Sequence, residues 1–221
     1  MNKWSARMTG LLFLLSTCAY LIGSGLLNPI LKRPELLTDS SLNQTIVVTG
    51  LFLELINAIA VVGIAILLYP VLRKYNEALM LGYFASRVIE SAILMFSLIS
   101  PILLIMLSGE LKGAEPSGRP YLQMIAKVAV ESHFILFELA MIVLSLGSLL
   151  FCYVLYRSRL VPRFLSIIGF MGYAGLLTSS CLAISGLDVG AILYIPGAIF
   201  EILLPLWLMV KGFNLRAENP R

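Results

Sequence analysis

The chain has 221 residues, of which 59% are hydrophobic and only 13% charged, and its mean hydropathy is +0.95. A soluble domain of this length needs far more polar residues to cover its surface, so a water-soluble globular fold is excluded. The net charge of +4 comes with no basic stripe interleaved with aromatics, so nucleic acid is not an expected partner.

The apolar residues fall in six blocks, approximately 8–31, 46–69, 79–107, 128–156, 164–185 and 190–210, each bounded by charge, Pro or Gly. A run of about 18 or more apolar residues is long enough to cross the hydrocarbon core as a helix. The expected fold is an all-α integral membrane bundle of six transmembrane helices, forming one transmembrane domain over 1–221.

The first block follows Lys3 and Arg7 as a signal peptide would. It runs past the usual signal core of about 7–15 residues and lacks a small-x-small cleavage site, so it reads as a retained helix. Leu15-Ser16-Thr17-Cys18 faintly resembles a lipoprotein box, but Thr17 is a poor residue before the cysteine. Cys18, Cys152 and Cys181 all fall inside predicted spans, where the default is a buried thiol rather than a disulfide.

The second and fourth helices share a spacing: Glu54, Gly63, Tyr69 and Arg73 match Glu138, Gly147, Tyr153 and Arg157 at a constant offset. Duplication of a helical hairpin and coincidence among Leu-rich segments both account for this. The fifth helix carries Gly169, Gly172 and Gly175, then Thr178, Ser179, Ser180 and Cys181. Small residues of this kind let helix backbones approach closely.

Cytoplasmic loops carry the excess of Lys and Arg. With the N-terminus inside, the inner side receives Lys3, Arg7, Arg73, Lys74, Arg157, Arg159, Arg163, Lys211, Arg216 and Arg221. The outer side receives Lys32, Arg33, Lys112, Arg119 and Lys127, and ten against five places both termini in the cytoplasm. The pI near 9.0 then reflects topology and attraction to anionic membrane lipid.

Function is sought in ionisable residues inside the spans, where a charge near the bilayer centre costs about 2.5–3.5 kcal/mol even on insertion scales. They are Glu54 with Asn57, Arg87 with Glu90, Glu131 with His133, then Glu138 and Glu201. Glu54 and Asn57 share one helix face, and so do Arg87 and Glu90. Glu131 and Glu138 share a stripe with Lys127 and Ser145, while His133 points away from Glu138. Glu90 and Glu201 fall near mid-membrane, with Glu54 and Glu138 somewhat toward the outer side. Pro205 has no amide to donate and frees the carbonyl of Glu201; Pro196 does the same for Ile192. The candidate ion- or substrate-binding set is therefore Glu54, Asn57, Arg87, Glu90, Glu138 and Glu201, with Glu131 and His133 as lesser members.

Enzyme chemistry finds little purchase. Zinc hydrolysis needs several His, Cys or carboxylate ligands, and the chain has one histidine. A di-iron bundle needs two Glu-x-x-His motifs, and neither occurs. No catalytic residue, metal site or cofactor is expected. Transport of a proton, cation or small solute through a buried acidic site fits these residues best. A structural or sensor subunit, and an intramembrane enzyme acting on lipid, are the alternatives. Six helices are few for a monomeric carrier, so a homo-oligomer is an expected partner state.

Over nearly its whole length the chain resembles the bacterial membrane family catalogued as domain of unknown function 4386. The resemblance rests on Ala6-Arg7 with Gly10-Leu11-Leu12, and on Arg87-Val88-Ile89-Glu90 with Ala92. It continues through Tyr156-Arg157-Ser158 to Pro162-Arg163, and from Glu201 to Leu206-Trp207-Leu208 and Lys211-Gly212. It implies a six-helix protein of a bacterial inner membrane and brings no activity with it.

Overall fold

Lipid offers a backbone no hydrogen-bonding partner, so each apolar block must close its own bonds as a helix. The computed structural model describes residues 3–32, 41–187 and 191–214. Its helices are α1 (Lys3–Leu31), α2 (Ser41–Leu72), α3 (Glu77–Ser97), α4 (Ile99–Gly113), α5 (Arg119–Ser158), α6 (Arg163–Ile184) and α7 (Ile195–Val210). A 3-10 turn, Ala191–Tyr194, leads into α7. Six helices are long and apolar enough to span a membrane, with α3 and α4 forming one of them. The chain is a multi-pass membrane protein. Arg33, Arg216 and Arg221, which entered the charge count above, lie outside the described residues, as do the side chains of Lys3 and Lys112.

Local chemistry sets the ends. The Asn76 side chain accepts the Leu79 amide at 3.0 Å and starts α3. Arg159, at φ 56, closes α5 in the left-handed region. Two boundaries differ from the apolar blocks. The fourth span begins at Arg119 rather than near 128, because Pro120 suits a first helical turn. The third breaks at Leu98. Pro101 cannot donate to the carbonyl of Ser97, and the His133 ring of α5 takes that carbonyl instead, Nδ1 to O at 2.9 Å.

Each spanning helix packs on its neighbour in the chain, and α1 packs on α7, so the order α1–α2–α3–α5–α6–α7 closes into a ring. At the end bearing the 73–76 and 159–162 turns, called the near end here, all six spans contribute to one core. Phe13, Ile64, Leu68, Tyr83, Phe151, Leu155, Tyr173, Phe200 and Leu204 are buried there. At the far end the core is smaller and, among the described residues, draws on α1, α2, α4 and α5, through Leu27, Leu31, Val47, Leu104 and Ala126. Helix length explains this. α5 has 40 residues against 22 in α6 and 16 in α7, and at about 1.5 Å per residue the α6–α7 hairpin stops well short.

The glycines of α6 hold that hairpin together. A Cβ on Gly172 would run into the Gly197 backbone, and one on Gly169 would fall 2.7 Å from the Phe200 ring. The matched glycines of α2 and α5 also serve alike. Gly63 faces Leu12 of α1, and Gly147 faces Ser86 of α3, each receiving a side chain from the helix before it. Outward-facing Phe52, Ile59, Ile66, Met106 and Val210 are exposed for contact with lipid.

Candidate functional site

The ring encloses three tiers of polar side chains. The first belongs to α3, where Tyr83, Arg87 and Glu90 lie on one face. Arg87 Nη1 donates to both Glu90 oxygens, at 3.1 and 2.9 Å, and Nε donates to the Tyr83 hydroxyl at 3.2 Å. Arg87 is 4% exposed and Glu90 2%, so the pair is desolvated. The guanidinium also lies 5.4 Å from the Tyr83 ring centroid, and that ring stacks on Phe151. Arg87 is the one buried cation among the described residues.

The second tier joins α6 to α7. The Tyr173 hydroxyl donates to Glu201 Oε1 at 3.3 Å. Tyr173 is fully buried, edge-on to Phe200, and Glu201 is partly buried. Arg87 lies within electrostatic range of Glu201, so this tier adjoins the first.

The third tier, toward the far end, draws on α1, α2 and α5. Glu54 is buried and makes no hydrogen bond among the described residues, and its Cγ lies beside Gly23 of α1. Glu138 is partly buried, yet its Oε2 is shut away from solvent with no partner. Tyr20 of α1 stacks its ring on Phe137 of α5, with 5.7 Å between centroids and 5° between planes. The Tyr20 hydroxyl is within electrostatic range of Glu54, Glu138, Glu201 and Tyr194.

Asn57 shares the Glu54 face but accepts the Ser16 hydroxyl at 2.6 Å, forming a strut between α1 and α2. Glu131 stays outside the interior: it is 61% exposed, with Lys127 at 3.8 Å. His133 is buried on the Ser97 carbonyl. A carbonyl only accepts, so Nδ1 carries the proton there. Among the described residues no three His, Cys, Asp or Glu side chains converge as a metal-ligand set.

The tyrosines were missed in the sequence. Tyrosine belongs at the membrane interface, so Tyr20, Tyr83 and Tyr173 within spans were the available signal.

A family model described as "Domain of unknown function (DUF4386)" matches residues 8–212. The chain belongs to this family. The matched stretch of the DUF4386 chain takes in all three tiers, from Tyr20 on α1 to Glu201 on α7. No curated protein and no solved structure matches it.

Proposed function

We propose that this DUF4386 protein takes a proton, a cation or a small cationic solute into its interior acidic site and moves it across the membrane. One observation carries the proposal. The buried cation Arg87 is hydrogen-bonded to Glu90, while Glu54 and Glu138 have no cationic partner among the described residues and Glu201 takes the Tyr173 hydroxyl. A buried carboxylate without a partner is costly to ionise, and a proton or a positive ligand each relieves that cost. Exchange between those two neutral states is the elementary step of coupled transport. The proposed setting is a bacterial inner membrane, with both termini in the cytoplasm and lipid at the outer faces. A second copy of the chain is a proposed partner.

The test is flux in proteoliposomes. Glu201→Gln keeps shape and hydrogen bonding, so it should leave thermal stability in detergent near that of the parent while abolishing proton- or cation-driven flux. The Ser16–Asn57 strut favours a second reading, a scaffolding subunit whose polar groups only hold helices together. That reading predicts altered stability and no flux in the parent protein. An enzyme acting on lipid would release product without any gradient.

A further inference from the structure

We propose that the turn joining α5 to α6 holds the phosphate of one anionic phospholipid from the leaflet at the near end, with the acyl chains lying along the outer face of α6. The site is separate from the acidic interior and stands whether or not that interior moves a solute.

Charge is the first support. Among the described side chains the near end carries seven exposed cations against one acid, Glu77, whereas the far end carries three of each. Three of the seven, Arg157, Arg159 and Arg163, fall within seven residues around a single turn. None of them pairs with a carboxylate among the described residues. A guanidinium fork matches a phosphate through two parallel hydrogen bonds, and arginines at a membrane surface attract anionic headgroups.

The second support is that the turn is fixed. Leu160 and Val161 are buried in the near-end core, so the chain between the arginines is anchored in the protein. The Arg159 amide donates to the Leu155 carbonyl at 3.2 Å, and the Asn214 amide, from the stretch after α7, donates to the Leu160 carbonyl at 2.8 Å. Arg163 lays its guanidinium over the Tyr156 ring, 5.2 Å from the centroid, which brings it back to the end of α5 that carries Arg157 and Arg159. Cations on a backbone held this way lose less freedom when a ligand binds.

The third is the surface that continues from the turn. Phe164, Ile167 and Met171 are exposed at i, i+3 and i+7 on α6, beginning next to Arg163. Tyr153 is exposed on α5, one turn from Tyr156, as an aromatic at a membrane interface is expected to be. A charge signal that only sets orientation needs neither a fixed turn nor an apolar track. A free phosphate would use the arginines and leave the track bare; a phospholipid uses both.

The experiment titrates dioleoyl phosphatidylglycerol, in mixed micelles, into the purified full chain and counts bound lipid by native mass spectrometry. Saturable retention of one lipid per chain is expected, at least tenfold preferred over dioleoyl phosphatidylcholine. Arg159→Gln with Arg163→Gln should weaken binding at least tenfold, and Arg119→Gln at the far end should leave it unchanged. Thermal unfolding of each variant separates lost binding from lost fold; if the double variant melts early, Arg163→Gln alone decides, with a several-fold loss expected. Equal retention of phosphatidylcholine, uptake that never saturates, or binding indifferent to the arginine changes would each overturn the site. Displacement of the lipid by an equal concentration of glycerol 1-phosphate would show a general anion site and overturn the lipid assignment.

Discussion

Arg87 and Glu90 stand one helical turn apart on α3, and a single guanidinium nitrogen serves both carboxylate oxygens, at 3.1 and 2.9 Å. With both partners almost wholly buried, neither has water to fall back on if the other is removed. Breaking such a pair from one side costs about 3–5 kcal/mol, whereas replacing both with apolar groups of similar size is often neutral. Arg87→Met should therefore destabilise the protein by several times more than Arg87→Met with Glu90→Leu. Thermal unfolding of the three proteins in detergent checks this, and additive losses would refute the coupling.

The histidine makes a second compensating pair, this time with a proline. His133→Leu should cost about 1–3 kcal/mol by orphaning the Ser97 carbonyl. Pro101→Ala restores an amide that can reach the same carbonyl within the helix. Added to His133→Leu, it should recover most of the loss; alone, it should change stability little. Failure of the rescue would show that the ring acts through packing instead.

Glu54 and Asn57 share a helix face but should respond differently. Glu54→Gln removes no hydrogen bond, so stability should stay within about 1 kcal/mol of the parent, the scale of one net hydrogen bond. Asn57→Leu strands the Ser16 hydroxyl, which is bonded at 2.6 Å, and should cost about 1–3 kcal/mol for an unsatisfied buried group. Denaturation midpoints in the reverse order would contradict these placements.

The α6–α7 contact gives a steric prediction. Gly172→Ala puts a methyl against the Gly197 backbone and should destabilise by about 1–3 kcal/mol, the usual cost of overpacking. Gly25→Ala meets nothing within 4 Å and should instead stabilise by about 0.5–1 kcal/mol, because alanine favours the helix. Equal effects in the same melting assay would refute the close contact.

Topology is tested by reporter fusions. Fusion at Asn76 should report the cytoplasmic face and fusion at Ser117 the external face. The reverse result at both sites would overturn the orientation.

The six spans were legible because lipid admits only a backbone that closes its own bonds, and hydropathy measures that demand directly. The break at Leu98 was not, since Pro101 lies in an unbroken apolar run and its consequence depends on His133, distant in sequence. The spacing of Arg87 and Glu90 was readable within one helix. The stacking of Tyr20 on Phe137, within electrostatic range of groups on α2 and α7, depends on the order and rotation of four helices, which no single helix period encodes. Tyr20 was passed over because a tyrosine in a leucine-rich helix reads as apolar bulk. His133 drew notice as an ionisable group and proved to serve the backbone.

The α1–α7 contact has a consequence for biogenesis. Chains are made from the N-terminus and fold progressively during synthesis, so α1 must wait in the bilayer with one flank uncovered until α7 arrives. Before then Gly10 lacks the Pro205 carbonyl it packs against, and the carboxylates of α2, α3 and α5 border an open seam. A ribosome that stalls before Ile195 would leave a five-span intermediate with charged groups facing lipid. Membrane quality-control proteases should clear that species faster than the finished protein.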